Sequence, residues 1–309
     1  MRHLHRHTWP LILLAAGLPA GCSVSDEDPE TAPETQDEIR LNADVWQVMD
    51  GTRAVTYSDA AGLRGEDLWI DAYYHDTETK YLDGKKLHYD TDDWKFWDGS
   101  AQLHYYWPIA GSVETTNSIT VSSLDFVGYC PYTTPSYIKT GPTYNLSTDV
   151  ISFTCDMSGA IEKEFMYAYV ANQTKDSNSG TVNMQFKHPF ARISFTNETS
   201  ATVTVNSITI SDIYTTGTCA FDGSASTWTS LGDAKSFDGN IGTTQLVIPN
   251  EYGSKTITVN ATWNDWSSVT KNVSASVLLN WAAGSSYTYN LSFKDYALQV
   301  STEKYTEQW

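Results

Sequence analysis

The sequence predicts an all-β fold, arranged as two β-sandwich domains behind a disordered acidic tether. Three observations predict it. Beyond residue 38 apolar and polar residues alternate in short runs, with no sustained 3.6-residue period. Gly, Asn, Asp and Ser interrupt those runs at close intervals, as turns between short strands do. About 270 residues follow the tether, enough for two domains or one large all-β domain at roughly 100 to 200 residues per domain.

The first alternating run sets Ile39, Leu41, Ala43 and Val45 on one face of a strand. Further strands are predicted over 68–74, 151–155, 182–186, 193–195, 246–248 and 296–300. Over 256–263, Ile257, Val259, Ala261 and Trp263 oppose a face of Thr and Asn, and over 286–293 Tyr287, Tyr289, Leu291 and Phe293 repeat the pattern. Both read as half-buried strands. In the run 202–210 the apolar phase switches after Val205, which predicts a bulge at Asn206–Ser207. The polar run 172–180 divides the folded region into an N-terminal domain, 39–175, and a C-terminal domain, 176–309.

The N-terminus reads as an export signal over 1–21. Arg2 and Arg6 precede a short apolar run that closes on Pro19, Ala20 and Gly21 before Cys22. The run is shorter than the roughly 20 residues that cross a bilayer. Small residues just ahead of a cysteine resemble the lipobox of bacterial lipoproteins, in which the thiol is acylated, although Pro19 stands where Leu is more usual; an ordinary secretory signal is the other reading. Residues 22–38 follow, with seven acidic groups and two prolines between Ser23 and Glu38, a composition that cannot bury enough surface to fold. The acidic cluster 25–28 resembles the surface-export signal of lipoproteins from Gram-negative anaerobes, which implies the outer face of the outer membrane.

The formal charge of −18 argues against nucleic acid or anionic lipid as a partner. Besides Cys22 there are Cys130, Cys155 and Cys219, with no CxxC spacing; one disulfide within the chain or three free thiols are both open. No metal-ligand spacing joins the histidines, and the aspartates around Trp94 and Trp97 lack the pattern of a calcium loop. There is no nucleophile elbow, P-loop or paired-carboxylate motif. The chain reads as a non-enzyme, and no cofactor is implied.

Three segments in order carry a family resemblance: Tyr105-Tyr106-Trp107-Pro108, then 124-LDFVGYCP-131, then Phe165-Met166-Tyr167-Ala168 leading into 184-MQFKHPFARISF-195. Together they resemble the fimbrillin family, the subunits of type V pili, over roughly residues 39 to 295. Trp107 and Phe126 offer large side chains to a core, while Pro108 and Pro131 end strands. His188 reads as a structural histidine at a strand end.

The resemblance implies two transthyretin-like sandwiches in tandem and a lipid-anchored precursor of a cell-surface pilus. In fimbrillins an arginine-specific protease cuts near the mature N-terminus, the first strand leaves, and a strand from another subunit replaces it. Here that implies cleavage between Arg53 and Ala54, release of the strand bearing Ile39, Leu41, Ala43 and Val45, and a donor segment bearing Tyr296, Leu298 and Val300. Arg64 is the rival cleavage site, and an uncut anchor or accessory subunit is the other reading of Arg53. The partners implied are other pilus subunits, the outer membrane through the anchor, the protease and an adhesion ligand. The competing function is a glycan-binding surface lipoprotein, for which Trp94, Trp97, Trp228 and Trp266 would have to form one exposed aromatic platform.

Overall fold

The computed structural model describes residues 37–45, 60–108, 123–159, 161, 163–266 and 268–305. In chain order the first half carries β1 (Arg40–Val45), the helical turn α1 (Ala60–Leu63), β2 (Leu68–Tyr74), β3 (Lys80–Asp90), β4 (Asp93–Trp97) and β5 (Gln102–Leu103). It continues with β6 (Leu124–Cys130), β7 (Ile138–Asn145), β8 (Val150–Asp156) and β9 (Met166–Gln173). The second half carries β10 (Thr181–Phe186), β11 (Ala191–Asn197), β12 (Val203–Phe221), β13 (Ser226–Gly239), β14 (Thr244–Val247), β15 (Asn250–Trp263), β16 (Thr270–Trp281), β17 (Ser286–Lys294) and β18 (Ala297–Tyr305). The all-β expectation is met, and each predicted run except its terminal residues lies in a strand.

Among the described residues four sheets stack around three apolar cores. The sheet β5-β4-β3-β2-β6-β9 faces the two-stranded sheet β1-β10, and the side chains between them form the first core. The sheet β14-β11-β17-β18 faces β16-β15-β12, enclosing the second core. The third core lies between these bodies. Its members include residues from the reverse face of β6 (Val127, Tyr129), from β8 (Ile151, Phe153, Cys155), from the far half of β12 (Cys219, Phe221), and Tyr167 of β9.

Sequence patterns follow from these positions. All seven residues of β6 are buried because both of its faces are covered, which is why its sequence is mostly apolar without alternating; the exception, Asp125, is paired with His75 and Asn172 N. On β15 the alternation holds, and outward hydroxyls pair across to β16: Thr258 with Ser274 at 3.0 Å and Thr262 with Thr270 at 2.8 Å. The bulge predicted near Asn206 is present, since Val205 pairs with Ala261 while Ser207 pairs with Asn260.

The nineteen residues of β12 serve both bodies. Its first part pairs with β15, and its last part, Thr216 to Phe221, pairs with β8 from the first half of the chain. The polar run 172–180 lies between β9 and β10, yet β10 does not join the second core: Val182, Met184 and Phe186 point into the first. The cores therefore do not follow the chain on either side of residue 175 strand by strand. Long-range pairing, invisible to local pattern, carries β10 back to the N-terminal body and the β7–β8 hairpin forward to β12.

Candidate functional site

The alternation of Ile39, Leu41, Ala43 and Val45 is realised as an inward face, exposed by 3, 2, 3 and 3 % respectively. β1 runs parallel to β10 in unbroken register from Arg40 opposite Thr181 to Val45 opposite Phe186. Among the described residues no strand pairs with its other edge. Just ahead of it the chain is pinned to the segment after β5: Ile39 N donates to Tyr105 O at 2.7 Å, and Trp107 N donates to Asp37 O at 2.9 Å. Glu38, near the end of the acidic segment, pairs with His104 at 2.6 Å.

Beneath β1, Trp94 donates its indole N–H to the carbonyl of Ala43 at 3.0 Å. Trp94, read from sequence as part of a polar turn region, is 6 % exposed. The period-two spacing of Trp94 and Phe96 inside the short strand β4 was the available signal. Burying each of the larger β1 side chains contributes about 1.5 to 3 kcal/mol. Together they weigh heavily against a total stability of roughly 5 to 15 kcal/mol for a domain.

Residue by residue, the other predicted positions fall as follows. Cys22, Arg53 and Ala54 lie outside the described residues. Arg64 is exposed at the end of α1, with its guanidinium 4.7 Å above the ring of Tyr89. Leu298 is buried in the second core, and Val300 packs against it partly exposed. Tyr296 is not in a strand. The hairpin closes with Lys294 opposite Ala297, so Asp295 and Tyr296 form a two-residue turn at φ of 50° and 62°, the left-handed geometry such a turn requires. Tyr296 instead packs on Trp263 at 5.0 Å and donates from its hydroxyl to Asp265 at 3.0 Å.

The thiols of Cys130, Cys155 and Cys219 are free and buried, and burial pushes the Cys155 thiol up to about 12. Among the described residues no group of three or more His, Cys, Asp or Glu could hold a metal ion. Trp94 is buried, Trp97 and Trp228 are half-buried, and Trp266 is 98 % exposed, so these four do not make one aromatic platform.

A buried polar cluster that sequence reasoning did not assemble joins the bodies. Glu164, just before β9, accepts from His188 at 2.8 Å and from Arg192 of β11 at 3.2 Å. Burial alone would raise the pKa of Glu164, but the two basic partners outweigh it and hold the carboxyl below its ordinary value of 4.5. His188 thus has the structural setting expected of it.

Stacked β-sandwiches, mostly antiparallel but with β1–β10 and β11–β17 paired in parallel, define the class as an all-β sandwich protein with an N-terminal strand laid along its first core. A candidate cell adhesion protein from Bacteroides uniformis has the same fold, with a TM-score of 0.55 and 19 % identity, over 87 % of this chain and 98 % of that one. A fimbrial protein from Bacteroides vulgatus aligns with a TM-score of 0.52 and 12 % identity, over 87 % and 98 % of the two chains. Among curated proteins none matches the chain. The model of the fimbrillin-like family matches residues 52–309, and the chain belongs to that family.

Proposed function

We propose that this chain is the lipid-anchored precursor of a cell-surface pilus subunit, assembled by proteolytic release of β1 and addition of a strand from another subunit, and serving adhesion. Membership of the fimbrillin-like family supports a fimbrial role at the cell surface. The observation that carries the finer reading is the setting of β1: four inward apolar residues, a ladder to β10, and no pairing of the other edge with any described strand. An element held this way can leave without dismantling either large sheet.

Once it has left, the exposed edge of β10 and the apolar floor of Leu63, Trp94, Met184 and Phe186 form a seat for an incoming strand. Cutting between Arg53 and Ala54 separates β1 from the rest of the chain. β18 is the donor candidate, an edge strand whose residues Ser301 to Tyr305 are exposed beyond Leu298 and Val300. Acylation of Cys22 would anchor the precursor in the outer membrane, since each buried methylene of lipid adds about 0.8 kcal/mol.

Treatment of the protein lacking residues 1–22 with an arginine-specific protease tests the reading. The expected result is one new N-terminus at Ala54 and filaments in negative-stain electron micrographs. An uncut protein that stays monomeric removes the polymerising role.

A further inference from the structure

A concavity lies where Gly65, Glu66 and Asp67 lead into β2, Lys86 projects from β3, and the loop 131–137 joins β6 to β7. Its volume is about 550 Å³, within the range of small-ligand sites. The loop is preformed. Tyr132 N donates to Asp67 O at 2.7 Å, Ile138 N donates to Pro135 O at 3.0 Å, and the Tyr137 hydroxyl donates to Lys163 O at 3.0 Å.

The charges of the wall are balanced in a chain of formal charge −18. Lys163 Nζ lies 2.8 Å from both carboxylate oxygens of Glu66, and Lys86 Nζ lies 2.8 Å from Asp67 Oδ2. No net charge is left for an ionic ligand to neutralise. His88 Nδ1 also lies 2.7 Å from Asp67 Oδ1, so a ligand hydroxyl here would share oxygens already paired, donating to a carboxylate while accepting from the neighbouring amine. Exposed hydroxyls of Thr133, Thr134 and Ser136 line the rim. The half-exposed ring of Tyr132, 5.3 Å from Trp69 and with Lys86 Nζ 5.0 Å from its centroid, supplies apolar surface beside that ammonium. No Leu, Ile, Val, Met or Phe lines the cavity, so it offers little to anchor apolar peptide side chains.

We infer that this concavity is a binding site for a short neutral oligosaccharide. None of its lining residues belongs to the apolar floor beneath β1. It gives the chain a ligand-binding capacity of its own.

Isothermal titration of the folded chain lacking residues 1–22 tests it, with maltotriose, cellotriose, mannotriose and N-acetyllactosamine as neutral probes. Trigalacturonate is the anionic control. At least one neutral probe saturates one site per chain, and Tyr132→Ala and Lys86→Met each weaken it about tenfold or more, a loss of ~1.4 kcal/mol. Thr134→Val, at an exposed rim position, weakens it as well without disturbing the fold, and Trp266→Ala leaves it unchanged. The proposal is overturned if no neutral probe binds, if binding survives in folded Tyr132→Ala, Lys86→Met and Thr134→Val proteins, or if trigalacturonate binds more tightly than every neutral probe.

Discussion

The indole N–H of Trp94 donates to the carbonyl of Ala43 at 3.0 Å, so the first strand is tied to the sheet opposite it as well as to its neighbour β10. This bond crosses the first core, and it couples the strand proposed to leave to β4, which stays.

Trp94→Phe keeps the ring in the core and removes that donor. The strand should then open more readily, by about 1 kcal/mol or roughly fivefold in its opening equilibrium. Hydrogen exchange at amides 41–45 measures this. Faster exchange there, with β15 and β17 unchanged, is the expected pattern; uniform acceleration throughout would mean that β1 does not open by itself.

Gly128 lies in β6 against side chains of β10: a Cβ added there would come within 2.8 Å of Met184 and 2.9 Å of Phe186. Gly128→Val should cost about 1 to 3 kcal/mol through overpacking. Gly159→Ala, which meets nothing within 4 Å, is the control and should stay within about 0.5 kcal/mol of the parent in urea unfolding.

Acidification should unlock the cluster between the bodies. Because the carboxyl of Glu164 is held below 4.5 in the folded chain, the stability it contributes is fully present above that value and is lost as pH falls through the lower, folded one. Glu164→Gln leaves Arg192 and His188 facing an amide, and should cost about 3 to 5 kcal/mol near neutrality. The gap between parent and variant in urea midpoint should narrow below pH 4.5. A gap independent of pH would show that charge on Glu164 is not its source.

Protease selectivity separates the two candidate arginines. Arg64 sits in a turn closed by the bonds from Gly65 N to Gly62 O and from Glu66 N to Leu63 O, with its head group over Tyr89. Arg53→Ala should therefore abolish the cut by an arginine-specific protease, while Arg64→Ala leaves it intact, as read by N-terminal sequencing. The reverse result would assign cleavage to Arg64.

The local pattern of the sequence carried the strands, the buried face of β1 and the bulge near Asn206, because each depends on residues close in the chain. It did not carry the partner of β1. β10 lies about 140 residues further on and alternates like any half-buried strand, so nothing in its own sequence directs it to the first core. For the same reason Glu164, His188 and Arg192 read as separate residues, although the segment before β9, the link from β10 to β11 and β11 itself bring them within hydrogen-bonding distance. Tyr296 shows the opposite error: its place in an apolar alternation suggested a strand, while the closure of the β17–β18 hairpin required a left-handed turn there.

The central claim is that β1 is replaced. Mass spectrometry of purified multimers, formed after cleavage from a chain isotopically labelled over residues 39–53, tests it most directly. Strand replacement predicts multimers that have lost the labelled segment in proportion to their interior subunits, with the label recovered as free peptide. Multimers that retain one labelled segment for every subunit would contradict it.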